Sequence, residues 1–257
     1  MALWNALEEP AETLVCGASR GIGAALCRQL LARDDVVRVW ALARHATASP
    51  ELQALAAAHG ARLQLRDLDA SDETALAAFA SELRGHVPRL HLAISTLGVL
   101  QQGAARAEKG LAQLDLAGLQ ASFLVNAFAP ALLLKHLLPL LRGRHPCGFA
   151  ALSARVGSIG DNRLGGWYSY RAGKAALNQL LHTASIELAR LNPQARVILL
   201  HPGTTDTELS RPFQAGVPAG RLFTPDFAAE RLLEVLTRRT PADSGSFWDW
   251  QGQPVPW

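Results

Sequence analysis

Short apolar runs alternate with longer helix-like segments along most of this chain, and that alternation restricts the fold more than any other feature. Apolar runs of a few residues suit strands buried on both faces, and the longer segments suit helices that cover them. Strands are expected at residues 13–16, 36–43, 62–65, 90–95, 149–153 and 196–200, and helices at 21–32, 50–60, 71–83, 114–141 and 170–191. Strand and helix in strict succession imply βαβ units, hence an α/β fold with a doubly wound parallel sheet and helices on both faces. No repeat, low-complexity tract or linker interrupts the succession, so residues 1–257 are expected to form a single domain. Only the stretch after residue 201 breaks the rhythm. It is rich in proline and glycine, and a lid-like loop at about 204–224 lying over strand ends is the expectation, because ligands of open α/β sheets sit there.

The first strand runs directly into Cys16-Gly17-Ala18-Ser19-Arg20-Gly21-Ile22-Gly23, which opens a helix. Spaced glycines allow a tight turn, close approach of backbone to a pyrophosphate and close packing of helix on strand, while the helix N-terminus offers free N–H groups. The sheet is therefore expected to be Rossmann-type, with Gly17, Ser19, Arg20, Gly21, Ile22 and Gly23 around a dinucleotide. The second strand ends Ala41-Leu42-Ala43-Arg44 without the acid that would bind a ribose 2′-hydroxyl. Guanidinium pairs with a 2′-phosphate that a carboxylate would repel, so Arg44 and Arg20 favour NADP(H) over NAD(H). Two solvated surface arginines are the alternative.

Tyr170-Arg171-Ala172-Gly173-Lys174 is the sharpest local signal. Residues four apart share one face of a helix, which brings the ammonium near the phenol. A lysine cation favours phenolate and draws the tyrosine toward the working pH range, as proton exchange with an alcohol or carbonyl oxygen requires. Tyrosine occurs twice in the chain and lysine three times, which sharpens the choice of Tyr170 as general acid/base.

The glycine turn, the Tyr-x-x-x-Lys pair and the order of elements together resemble the short-chain dehydrogenase/reductase family over nearly the whole chain. The segments DNRLGGWYSYRAGKAALN and HPGTTDTELS, and the run from SGSFWDW to the end, are most similar to its C-factor-like branch. The resemblance implies hydride transfer between NADP(H) and a small carbonyl or alcohol substrate. It further implies that Asp69 holds the adenine side of the cofactor and that Asn126 orders the Tyr–Lys pair and a proton-relay water. Pro202, Gly203, Thr205 and Thr207 would seat the nicotinamide carboxamide, Gly98 would allow close backbone approach, and a serine after the fifth strand would polarise the substrate. A homo-oligomer formed through the long helices is also implied by the family alone.

Two departures from the family pattern stand out. Ser95-Thr96-Leu97-Gly98 replaces the usual Asn-Asn-Ala-Gly, so weaker side chains must brace the sheet. Ala154 fills the usual serine position. Ser153 is chosen as the replacement, which requires a bulge to re-aim it because adjacent strand residues face opposite ways; Ser158 is the second candidate. Trp167, residues 209–223 and Leu100 are expected to face an apolar or aromatic substrate. The alternative function is a cofactor-binding regulatory or signalling protein with little turnover.

Composition closes off other classes. The formal charge of +3 comes from scattered arginines with no aromatic-interleaved basic run, so no nucleic-acid partner is expected. Cys16, Cys27 and Cys147 are widely spaced, which suits buried thiols in a reducing compartment and no metal site. The opening residues lack a secretory pattern, and the apolar run 127–141 is broken by Pro130, Lys135, His136 and Pro139, so a cytoplasmic protein without a membrane partner is expected.

Overall fold

The computed structural model describes residues 3–4 and 7–257. Its frame is a seven-stranded, all-parallel sheet in the order β3-β2-β1-β4-β5-β6-β9. The strands are β1 (Ala11–Cys16), β2 (Val36–Ala43), β3 (Leu63–Asp67), β4 (Leu92–Ser95), β5 (Cys147–Leu152), β6 (Ala195–His201) and β9 (Ser246–Asp249), while β7 (Thr204–Thr205) and β8 (Leu222–Phe223) pair separately. The helices are α1 (Gly21–Leu31), α2 (Pro50–His59), α3 (Glu73–His86), α4 (Leu116–Phe123), α5 (Ala129–Leu141), α6 (Tyr168–Leu191) and α7 (Pro225–Thr237).

Alternation along each strand divides the core in two, because successive side chains leave a sheet on opposite faces. Cys147, Phe149 and Ala151 of β5, with Val197 and Leu199 of β6, meet α3, α5 and α6 through Phe79, Leu137 and Leu181. Ala150, Leu152, Ile198 and Leu200 meet α1 and α7 on the other face through Leu26, Leu30, Leu232 and Leu236. Each such leucine or phenylalanine taken out of water contributes about 1.5–3 kcal/mol, so both layers are held by burial. Helix starts are set locally. Ser49 caps α2, Asp72 caps α3, Asp115 caps α4 and Thr224 caps α7, each accepting from backbone N–H groups of the first turn.

Several boundaries differ from the sequence reading. The helix expected at 114–141 is broken by a π-helical turn at Leu124–Phe128, which separates α4 from α5. This stretch is apolar and long enough to span a bilayer by length and composition, yet half of it is buried within the protein, where it packs on α3 and α6. Helix α7 and strand β9 were not anticipated. β9 is four residues long, too short to stand out, and extends the sheet beyond β6. Its outer edge is held by the following chain, where the Val255 amide donates to Phe247 and Trp257 stacks on the Phe247 ring.

Candidate active site

The strand order reverses between β1 and β4, and the glycine turn lies at the carboxyl end of β1. Gly17 (φ 90°) and Gly21 (φ 56°) adopt left-handed backbone conformations. A Cβ on Gly23 would lie 2.2 Å from the Gly17 carbonyl oxygen, so the turn closes only with glycine there. The first turn of α1 has no side-chain cap, which leaves N–H groups for an anionic ligand. Thr96 fills the bracing role that the missing asparagine left: its hydroxyl lies 3.0 Å from both the Cys16 and Gly17 carbonyls. Ser95 does not share that role, and its buried hydroxyl has no partner.

Tyr170 and Lys174 lie one turn apart near the start of α6, and both are buried. Lys174 Nζ donates to the carbonyls of Leu97 (3.1 Å) and Leu152 (2.8 Å), joining the ends of β4 and β5. Burial pulls its ammonium down to about 7, and burial likewise pushes the Tyr170 phenol up. Burial thus moves the phenol upward, where the Tyr-x-x-x-Lys spacing predicts a lowered one, and the Lys174 ammonium is directed at the Leu97 and Leu152 carbonyls. Asn126 sits in the π turn. Its amide oxygen accepts from Val99 N, and its Nδ2 donates to Val99 O and to Ser122 Oγ. Gly98 lies against both groups: a Cβ there would be 3.6 Å from Lys174 Nζ and 3.7 Å from Asn126 Oδ1. Tyr170, Lys174, Asn126 and Gly98 are thus brought together by α6, the π turn and the segment after β4.

Ser153 requires a correction. Its hydroxyl donates to Asn178 Oδ1 at 2.6 Å and is buried. Asn178 lies two turns beyond Tyr170 on α6, about 12 Å along the helix axis. The strand alternation continues through Ser153, which faces α6 with Phe149 and Ala151, and no bulge re-aims it. Ser158 Oγ accepts from Asp161 N within its own turn. Leu100, expected to face substrate, is buried as well.

The expected cofactor residues lie in three groups. Ser19 offers its carbonyl to Ser49 Oγ, which ties the glycine turn to α2, and Ile22, in the first turn of α1, packs against the core. At the end of β2, Arg44 is exposed and close enough to act on Asp69, whose carboxyl is held below its usual range chiefly by the Ser71 hydroxyl. Arg20 forms an ion pair with Glu208 on the segment after β7. Past β6, Gly203 (φ 74°) packs on Phe223 and Trp250, while Thr207 approaches Gly21. Thr205 Oγ1 and His201 Nδ1, flanking Pro202-Gly203, are buried without partners. An uncapped helix, a glycine cradle, exposed arginines and orphaned polar atoms fit a phosphorylated dinucleotide laid across these strand ends.

Of the residues that frame Tyr170, the sequence singles out Trp167 but neither its backbone conformation nor the roles of Glu108 and Arg171. Gly165, Gly166 and Trp167 are successive left-handed residues, and Trp167 (φ 53°) is the one non-glycine residue with positive φ among those described. That conformation costs roughly 1–2 kcal/mol outside glycine. Arg171 stabilises it by donating to the Gly165, Gly166 and Val156 carbonyls. Buried Glu108 holds the other side: its carbonyl accepts from Trp167 N, and its carboxylate accepts from Ser169 N and Oγ. The carboxylate thereby caps α6, whose own N-cap residue supplies no side-chain bond. Only the paired glycines before the motif hinted at this turn.

The chain is similar to several known proteins. A family profile described as short chain dehydrogenase matches residues 12–217. The chain is 36% identical over 148 residues to the C-signal protein of Myxococcus xanthus, covering 57% of this chain and 83% of that one. It is 31% identical over 244 residues to the 1-hydroxy-2-glutathionyl-2-methyl-3-butene dehydrogenase of Rhodococcus sp. strain AD45, covering 95% and 98% respectively. Among solved structures, the NADPH-bound carbonyl reductase from chicken fatty liver superposes with a TM-score of 0.83 at 28% identity, covering 97% of this chain and 100% of that one.

Proposed function

The chain belongs to the short-chain dehydrogenase family, and on that premise we propose that it is an NADP(H)-dependent oxidoreductase interconverting a small carbonyl compound and its alcohol. The observation that carries this reading is the convergence of Tyr170, Lys174, Asn126 and Gly98 beside the glycine turn. A bound nicotinamide supplies or takes up the hydride. In reduction the Tyr170 hydroxyl gives its proton to the carbonyl oxygen, and in oxidation the phenolate takes the alcohol proton. Lys174 is poised near neutrality by burial, so a phenolate forming beside it draws the ammonium form into place. Asn126 fixes the Val99 backbone and so the segment carrying Gly98. Arg44 and Arg20 would pair with the 2′-phosphate, with Asp69 on the adenine side and Pro202, Gly203, Thr205 and Thr207 at the nicotinamide end. The segment 204–224 acts as a lid on one domain working in the cytoplasm. The NADPH-bound relative supports the choice of cofactor.

The second reading is a cofactor-binding signalling protein with little turnover. It is favoured by Ala154, by the commitment of Ser153 to Asn178, and by the similarity to C-signal. One experiment separates the two. Titration with NADPH and NADH, followed by a carbonyl screen with Tyr170→Phe as control, should show preferential NADPH binding that Arg44→Ala weakens, and turnover that Tyr170→Phe abolishes. Tight NADPH binding without turnover would favour the signalling reading, and equal NADH binding would overturn the role of the arginines.

A further inference from the structure

Beside Tyr170, three aromatic rings meet. The Trp167 ring lies edge-on to Tyr170 at 6.3 Å and tilted against Phe213 at 5.0 Å, between centroids. Phe213 belongs to the short helical turn Arg211–Gly216 on the segment after β7, far from α6 in sequence. Trp167 and the Phe213 that packs on it are held very differently. Trp167 is fixed: Glu108 takes its amide, and Arg171 grips the two carbonyls before it. Phe213 rides on a turn with no buried residue of its own. The exposed side chains Ile159 (77%) and Leu164 (92%) give the neighbouring loop an apolar surface that no described residue covers.

Resting on the reductase reading, we propose that Trp167 and Phe213 form an aromatic clamp that selects planar aryl ketones, and the matching aryl carbinols, for Tyr170. Trp167 is the fixed jaw and Phe213 the moving one. A flat ring facing both needs about 3.5 Å on each side, or about 7 Å between the jaws, so Phe213, now inclined at 54° to the indole, must turn toward parallel and move out by about 2 Å from its present 5.0 Å. The ligand then replaces one ring–ring contact by two, which offsets the opening. A puckered saturated ring is thicker and lacks the π face, so it opens the clamp further and gains less. With the aryl ring held there, its carbonyl substituent is directed to the Tyr170 hydroxyl next to the fixed jaw. The left-handed turn acquires a reason: it holds the indole at Tyr170 from the residue just outside the helix.

The test compares acetophenone with cyclohexyl methyl ketone, two ketones of similar size whose rings are flat and puckered respectively; because only the first carbonyl is conjugated with its ring, the affinity ratio decides. Turnover with NADPH gives the ratio of kcat/KM values, and ligand-observed NMR titration gives the ratio of dissociation constants without needing turnover. The expected preference for acetophenone is at least tenfold in affinity. Trp167→Gly removes the ring while glycine accommodates the left-handed backbone, and it should bring the affinity ratio to within twofold. Phe213→Ala, on the exposed side of the clamp, should lower the ratio in the same direction, and Trp167→Phe should restore most of it. A wild-type protein without preference, or a ratio unchanged in both Trp167→Gly and Phe213→Ala, overturns the clamp. A binding preference that collapses in the variants while neither ketone is reduced upholds the clamp and refutes the reductase reading.

Discussion

Exchanging the roles of residues 153 and 154 gives the most direct check on the site. Ser153 faces α6 and donates its hydroxyl to Asn178 Oδ1, while the Asn178 Nδ2 is already buried without a partner. Ser153→Ala would leave that amide unpaired at both ends, a loss of about 1–3 kcal/mol. For a chain of this size that lowers Tm by roughly 2–12 °C, with kcat changed less than about threefold. Ala154 is extended (φ −146°, ψ 146°), so its side chain leaves the backbone on the face opposite Ser153. Ala154→Ser adds a hydroxyl on that face, where the family pattern has its serine. A hydrogen bond to an oxygen developing negative charge is worth about 1.5–3 kcal/mol, so kcat should rise about 10- to 150-fold. The assay is NADPH consumption with an aryl ketone, run beside thermal melts of both variants. A hundredfold loss of kcat in Ser153→Ala at unchanged Tm, with no gain in Ala154→Ser, would refute the assignment and return Ser153 to the site.

Other outcomes follow from single contacts. Burial pulls His201 down to about 4, so the unfolded chain binds its proton first as pH falls; stability should drop between pH 6.5 and 4, and melts of His201→Gln should flatten over that window. Glu208→Gln removes the ion pair that engages Arg20, and because exposed pairs are worth up to about 1 kcal/mol, NADPH affinity should rise by up to about fivefold in a fluorescence titration, more at low salt. Unchanged affinity would remove Arg20 from the phosphate site. Gly23→Ala places a Cβ 2.2 Å from the Gly17 oxygen and should abolish NADPH binding, with a Tm lowered by several degrees.

What the sequence made legible was local. The glycine turn opens α1 and Tyr170 and Lys174 share α6, so spacing alone is enough to put each motif within one element. The parallel sheet followed from the alternation of apolar runs. The π turn at Leu124–Phe128 was hidden because apolar composition continues straight through it; its stabilising bonds, from Asn126 to Val99, cross to another segment. Glu108 capping α6 across 61 residues, and Arg20 meeting Glu208 from the far side of the sheet sequence, depend on tertiary proximity and leave no periodic trace. Ser153 was misread for a related reason. Whether a strand end keeps its alternation or bulges is decided by the partner waiting for the side chain, here Asn178.

The distribution of broken rules is itself informative about where the chemistry lies. At the amino ends of the strands, buried polar groups are satisfied: Asn192 Nδ2 donates to the Leu141 and His145 carbonyls, and Trp4 Nε1 donates to His91 O. On the opposite side the pattern changes. Ser95 ends β4, His201 ends β6 and Thr205 follows it, and each carries a buried polar atom without a partner; the other two such atoms among the described residues, Asn178 Nδ2 and Arg231 Nε, lie on α6 and α7. The left-handed Trp167 and the desolvated Lys174 lie in the same region. Each of these features is unfavourable for folding taken alone, and packing across both faces of the sheet offsets them. A core selected for stability alone has no reason to gather them at one end. Their gathering past the carboxyl ends of the strands supports the candidate site on energetic grounds that owe nothing to the family resemblance.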